Sequence, residues 1–120
     1  MIDFNNRVFM CKANHNSLGF TTETVFRYKQ YGDIIHANYS GGNVKYGEFI
    51  GTVNSKGIQQ VAFNHINTQL IYFGGTSTIS TYNSNTKPIQ MYGTWCIVDL
   101  VGESIELVLE EVHEHKICKL

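Results

Sequence analysis

The sequence predicts an all-β protein: a single-domain antiparallel meander closing into a lipocalin-like or avidin-like barrel of about eight strands. Three observations lead there. Valine, isoleucine, threonine and the aromatic residues make up 46 of the 120 residues, while alanine and leucine make up only nine. Branched and aromatic side chains suit a pleated, half-buried surface, whereas alanine and leucine favour helices. Glycine- and asparagine-containing turn signals then recur along the whole chain, with no linker and no internal repeat. Finally, several strands carry apolar residues on both faces, and no helix is available to cover them. An open sheet of this size would leave two bare edges and an uncovered apolar face, and closing it removes both. The interior of an eight-stranded barrel is either filled by side chains or holds one small ligand.

The elements follow in order. Arg7 to Ala13 reads as a first strand, followed by a polar turn cluster, Asn14 to Ser17. Leu18 to Tyr31 reads as the second strand, and Gly32-Asp33 as a two-residue hairpin turn. The stretch from Asp33 to Val53 is the strongest local signal. Ile34–Ser40 and Val44–Val53 are two arms rich in β-branched and aromatic residues, joined by Gly41-Gly42-Asn43, whose glycines supply positive φ. Asn54 to Gly57 closes that hairpin, and Ile58 to Ile66 is the fifth strand. Leu70 to Thr81 is the sixth, with a bulge or bend expected at Gly74-Gly75. Asn83 to Pro88 is a loop, Ile89 to Leu100 the seventh strand, and Asp99 to Gly102 a turn. In Glu103 to His113, Ile105, Leu107 and Leu109 alternate with their neighbours at period two, which favours a strand over a helix.

One domain of this length buries about two-thirds of the surface its unfolded chain exposes. Nine basic residues stand against ten acidic ones with no block of like charge, so nucleic acid is not an expected partner. No run approaches a membrane span and the N-terminus lacks a signal-peptide core, which predicts a cytoplasmic protein with no membrane partner. The three cysteines, Cys11, Cys96 and Cys118, are odd in number and lack CxxC spacing, so they are expected to be reduced thiols.

A resemblance enters through Thr22-Glu23-Thr24-Val25-Phe26, Tyr28, Gly32-Asp33-Ile34-Ile35, Tyr39-Ser40-Gly41-Gly42, Gly47, His65-Ile66-Asn67, Trp95, Gly102-Glu103-Ser104 and Glu110-Glu111. Over roughly residues 20–112 the chain resembles a group of small bacterial proteins of about this length that often carry the label N-acetylglutamate synthase. The resemblance implies a lipocalin-like or avidin-like β-barrel and brings no catalytic residues with it. The residues themselves speak against synthase chemistry. The usual N-acetyltransferases cradle pyrophosphate on backbone amides at a helix start, through a Q/R-x-x-G-x-G/A turn. The nearest stretch here, Gln90 to Trp95, has Trp95 where glycine or alanine is required, and no helix follows it.

The remaining chemistry points to binding rather than catalysis, with no cofactor. His113 and His115 would share a strand face but have no third ligand nearby, so no metal site is expected. Ser104 lacks a GxSxG elbow and reads as a turn or strand serine. Glu110 and Glu111 read as solvent-facing or paired with Arg7 and Arg27. In a meander barrel, alternate residues point inward. Tyr39 then joins Ile35 and Ala37 on an apolar face, and Trp95 joins Met91, Gly93 and Ile97. Tyr39 and Trp95 are therefore the expected lumen wall, His65 and Asn67 its rim, with His65 also readable as a half-buried histidine bonded to a backbone carbonyl, and Glu23 an acidic member of the second strand that could anchor a ligand. The expected function is noncatalytic binding of a small, partly apolar molecule. The alternative is a filled barrel that acts as a structural or interaction protein, forming a homo-oligomer.

Overall fold

Eight strands follow one another around a closed barrel in sequence order: β1 (Val8–Cys11), β2 (Val25–Tyr31), β3 (Ile34–Gly41), β4 (Val44–Val53), β5 (Gln59–Asn67), β6 (Tyr72–Thr81), β7 (Gln90–Ile97) and β8 (Ser104–Val112). This computed structural model describes residues 2–13, 18–82, 88–98 and 103–113. Every pairing is antiparallel, and β1 seals the barrel against β8 from Val8↔Val112 to Cys11↔Leu109. The period-two reading of the last segment holds, because Ile105, Leu107 and Leu109 are buried while Glu106 is exposed.

The hairpin at the centre of the sequence forms as its turn chemistry requires. Gly41 and Gly42 take φ values of 111° and 63°, a region open to glycine and costly for a residue with a β-carbon. The register shifts fall on either side of this turn, between Tyr39 and Gly41 on β3 and between Val44 and Tyr46 on β4.

Two expectations are corrected. The segment from Leu18 to Thr24 is not strand. It crosses one end of the barrel, and β2 begins only at Val25. Thr24 fixes that beginning, because its hydroxyl accepts from the Thr21 amide and donates to the Gly41 carbonyl, both at 3.0 Å. Gly74-Gly75 does not bend β6, whose register with β5 runs unbroken through both residues, while its pairing with β7 begins at Gly75. Gly75 is glycine for a different reason: a β-carbon there would run into the Cys96 carbonyl of the neighbouring strand. The expected clusters at Asn14–Ser17 and Asp99–Gly102, and all of Asn83–Pro88 except Pro88, lie outside the described residues.

The interior is filled by rings. Phe20, Phe26, Tyr28, Tyr39, Phe49 and Trp95 are each at most 1% exposed. The Trp95 ring centre lies 4.8 to 6.2 Å from those of Phe63, Phe20, Phe49, Phe26 and Tyr39. A second knot joins Tyr28 to Phe9, Phe49 and Phe4 at 5.3 to 5.6 Å. Phe4 comes from the segment before β1 and plugs the far end of the barrel, where its amide donates to Gln30 Oε1. At that end Arg7 also pairs with Glu111 at 2.8 Å, as the sequence suggested, in a half-exposed bridge of small expected worth.

The interior also holds a short polar chain. The Tyr28 hydroxyl donates to Gln59 Oε1 at 2.9 Å, and Gln59 Nε2 donates to Met91 Sδ at 3.2 Å. Tyr28→Phe would leave a buried acceptor unpaired, which costs about 1–3 kcal/mol. Urea unfolding should therefore show a lower midpoint with an unchanged slope. Adding Gln59→Leu should recover part of the loss, because the orphaned acceptor goes with it.

Candidate functional site

In a meander, the connections β1–β2, β3–β4, β5–β6 and β7–β8 all gather at one end of the barrel. That end is covered by Leu18-Gly19-Phe20, where Leu18 is 1% and Phe20 0% exposed. The Asn43 amide in the β3–β4 turn donates to the Gly19 carbonyl at 2.9 Å, and the Thr68 amide in the β5–β6 turn donates to the Asn43 carbonyl. Gly19 sits at φ 92°, and a β-carbon there would meet the Asn43 carbonyl at 2.9 Å. The cover is thus stitched by a backbone bond to the β3–β4 turn, which is itself bonded to the β5–β6 turn.

Beneath it lie three of the five residues singled out from the sequence. Tyr39 (β3), His65 (β5) and Trp95 (β7) all point inward from different strands and meet around Phe20. The Phe20 ring centre is 5.2 Å from those of His65 and Trp95 and 5.9 Å from those of Tyr39 and Phe26. The inward faces read for Tyr39 and Trp95 are correct, since Ile35, Ala37, Met91 and Gly93 are buried beside them. Ile97 is only half-buried, near the end of its strand.

His65 is more than a rim residue, being only 2% exposed. Its Nε2 lies 2.9 Å from the Leu18 carbonyl oxygen, which can only accept, so Nε2 carries the hydrogen. Nδ1, 2.9 Å from the Tyr39 hydroxyl, then accepts from it. This assigns a neutral Nε2–H imidazole by its hydrogen-bond partners. Burial holds the imidazole pKa below the usual histidine value, opposed in part by the Leu18 bond. Burial, with the Glu48 carboxylate adding to it, pushes the Tyr39 hydroxyl well above the usual tyrosine range. Neither group is poised to act as a base or nucleophile near neutral pH.

The other two residues stand elsewhere. Asn67 does lie at this end, but its side-chain oxygen accepts from the amides of Gln69 and Ile71 at 2.9 Å, so it builds the β5–β6 turn. Glu23 is a correction. It is exposed, in the turn between Thr21 and Thr24, with its amide donating to Thr21 Oγ1. The ladder of β2 starts two residues later, so Glu23 has no strand face from which to reach the lumen.

The sequence reading missed Phe20, because a continuous strand was drawn through it. The local signals against that strand were Gly19 between two apolar residues and the Thr21-x-x-Thr24 spacing. It also missed Ser77, which faces inward directly across from Trp95. Ser77 Oγ, Thr81 Oγ1 and Trp95 Nε1 are buried with no hydrogen-bond partner among the described residues. Two of the three converge: a β-carbon on Gly93 would lie 2.9 Å from Trp95 Nε1 and 3.4 Å from Ser77 Oγ.

Other constellations dissolve. Gln90 to Trp95 is the body of β7, whose backbone is committed to ladders with β6 and β8, so its amides cannot cradle a pyrophosphate. No group of three or more histidine, cysteine or acidic side chains able to hold a metal occurs among the described residues. His113 is exposed, and His115 and Cys118 lie outside the described residues. Cys11 and Cys96 are free thiols, and burial pushes the Cys11 thiol up to about 12, so it is inert at neutral pH.

No curated protein and no solved structure matches this sequence. A family model does: the one described as avidin-like protein matches residues 2–112, from the segment ahead of β1 to the last residue of β8. With a closed eight-stranded meander and a match over nearly its whole length, the chain belongs to the avidin-like protein family.

Proposed function

We propose that this protein is a noncatalytic binding barrel that takes a small, partly apolar molecule at the end covered by Leu18–Phe20. The observation that carries this reading is the origin of Phe20. It touches rings from β2, β3, β5 and β7, yet it is supplied by a connection and not by a strand. The strand-borne rings are fixed by continuous ladders on both sides. A plug borne on a connection and held by an isolated bridge can leave without breaking a strand ladder, and its departure uncovers Phe26, Tyr39, His65 and Trp95 together. A ligand in its place meets aromatic faces for its apolar body, and the Tyr39 hydroxyl and His65 Nε2–H for a polar group. Further in, the unpartnered Trp95 Nε1 and Ser77 Oγ are groups that a folded core normally pairs, since leaving one unpaired costs about 1–3 kcal/mol.

Protein purified from its own host should carry a retained small molecule in native mass spectrometry. Ligand should also change the fluorescence of Trp95, the single tryptophan. Binding should be lost in Trp95→Ala and kept in Tyr82→Ala, whose exposed ring lies at the opposite end of β6 from the cover. A ligand held as tightly by Trp95→Ala as by the parent would remove the site from this end.

One observation favours a second reading, a filled barrel acting through its outer face. The outward residues of β5, β6 and β7 include no charged side chain, and Tyr46, Ile50 and Tyr72 on or beside this face are 51%, 57% and 75% exposed. Such a neutral face suits packing against a second copy of the chain. Sedimentation equilibrium of the parent and of Ile50→Lys separates the two readings. An oligomer dissolved by the lysine, together with no adduct and no thermal shift across a metabolite library, would favour assembly over ligand binding.

A further inference from the structure

We infer that His65 is a proton-operated latch on the Leu18–Phe20 cover, holding it seated while the imidazole is neutral and releasing it when the imidazole takes up a proton. The inference rests on reading this end as the mouth and adds how the mouth is regulated. Two bonds among the described residues hold Leu18–Phe20. The Asn43 amide bond to Gly19 is insensitive to pH, and His65 Nε2–H, donating to the Leu18 carbonyl at 2.9 Å, is the one of the two that titrates.

The surroundings of His65 decide what a proton does there. Tyr39 faces it from β3 with a ring-centre separation of 5.5 Å, and Phe20 faces it from the cover at 5.2 Å. Phe63 on its own strand and Phe73 on β6 stand at 5.9 and 5.4 Å. From β4 comes Gly47, where a β-carbon would lie 2.5 Å from that of His65. Tyr39 is the one titratable side chain in this set, and it stays a neutral phenol at any ordinary pH. The Glu48 carboxylate of β4 bears on Tyr39 but is exposed on the outer face, and no carboxylate is among the described ring neighbours of the imidazole.

A second proton on the ring would sit on Nδ1, the atom that now accepts from the Tyr39 hydroxyl. That hydroxyl must turn away, and its hydrogen then points among aromatic rings. The cation gains hydration most readily if the cover lifts, because the other sides of the ring are strand-borne side chains held in ladders. Lifting Leu18–Phe20 also frees the Leu18 carbonyl and uncovers Tyr39 and Trp95. Proton uptake and opening of the mouth are therefore one event.

The sign follows from linkage. In the open state the imidazole is solvated and titrates near about 6.5, while in the closed state burial keeps its pKa lower. The latch is then fully effective above about pH 6.5 and weakens as pH falls below it. The open population rises by at most about tenfold per pH unit until the closed-state pKa is passed.

The test uses ligand-free protein between pH 7.5 and 5. Two readouts follow the cover: the hydrogen-exchange protection factor of the Asn43 amide, which donates to Gly19, and acrylamide quenching of Trp95 beneath Phe20. The amides of Tyr82 and Glu111, bonded to the carbonyls of Gln90 and Ile89 near the opposite end, serve as controls. As pH falls below about 6.5, Asn43 protection should drop and quenching should rise, while the controls hold. His65→Gln should abolish the pH response. Tyr39→Phe removes the donor that favours neutral imidazole, so its opening midpoint should move to higher pH, and this variant decides the matter if His65→Gln fails to fold. Loss of protection at both ends together, no response down to pH 5, or an unmoved midpoint in Tyr39→Phe would overturn the latch. Because no ligand is involved, such a failure leaves the proposed mouth standing. An intact latch with no adduct and no thermal shift would instead count against the mouth.

Discussion

Trp95→Ala is expected to cost the barrel about 4 kcal/mol, within the range of roughly 3–5 kcal/mol seen when a fully buried large aromatic is truncated in a core. Trp95 is wholly buried, and five ring centres lie within 6.2 Å of its own. The cavity left behind cannot collapse, because Tyr39, Phe49 and Phe63 are fixed by their own strands. Part of the loss is offset, since Trp95 Nε1 is a buried donor without a partner among the described residues and disappears with the ring. Set against a total stability of roughly 5–15 kcal/mol, the remainder is still large. The melting temperature should fall by about 10–20 °C at the usual conversion for a domain near this size. A loss below about 1 kcal/mol would mean that the Trp95 environment is open or fluid rather than packed.

The second large effect is expected from two adjacent glycines that read alike in the sequence. Gly75→Ala places a methyl group against the Cys96 carbonyl, and the ladder between β6 and β7 must move to admit it. Overpacking of this kind costs about 1–3 kcal/mol when side chains can adjust, and the clash here is with backbone, so the upper end or beyond is expected. Gly74→Ala is the control. Its β-carbon would find the Phe63 carbonyl at 3.6 Å and the Asn64 side chain at 3.8 Å, which is ordinary contact. Neither glycine has a positive φ, so no conformational penalty separates them. Gly74→Ala should be neutral or stabilising by up to about 1 kcal/mol, since alanine restricts the unfolded chain. Urea midpoints for the pair should therefore move far apart. Equal and small effects would show that β6 and β7 are not as closely apposed as described.

The glycine pair also shows how a sequence rule misleads. Gly-Gly inside an apolar run is a fair sign of a bulge, but the same pair arises where one strand must approach another closely. Only the position of the partner strand tells these apart, and that position depends on the closure of the whole barrel.

The sequence by itself determined that this chain is built from strands, where its main hairpins turn, and which face of β3, β7 and β8 is buried. These are local matters: composition, turn residues and period-two alternation act over a few residues, and closure follows because nothing else can cover the apolar faces. The same alternation brought Tyr39 and Trp95 indoors. Only the tertiary structure decided that Leu18–Phe20 leaves the sheet to cover an end, that Glu23 sits outside it, and that His65 reaches the Leu18 carbonyl across 47 positions of chain. Those outcomes depend on contacts between distant segments, since a phenylalanine packed as a strand residue and one packed as a plug bury the same apolar surface. What separates them is whether the segment's amides find a neighbouring strand or, as here, a turn that the closed barrel brings within reach.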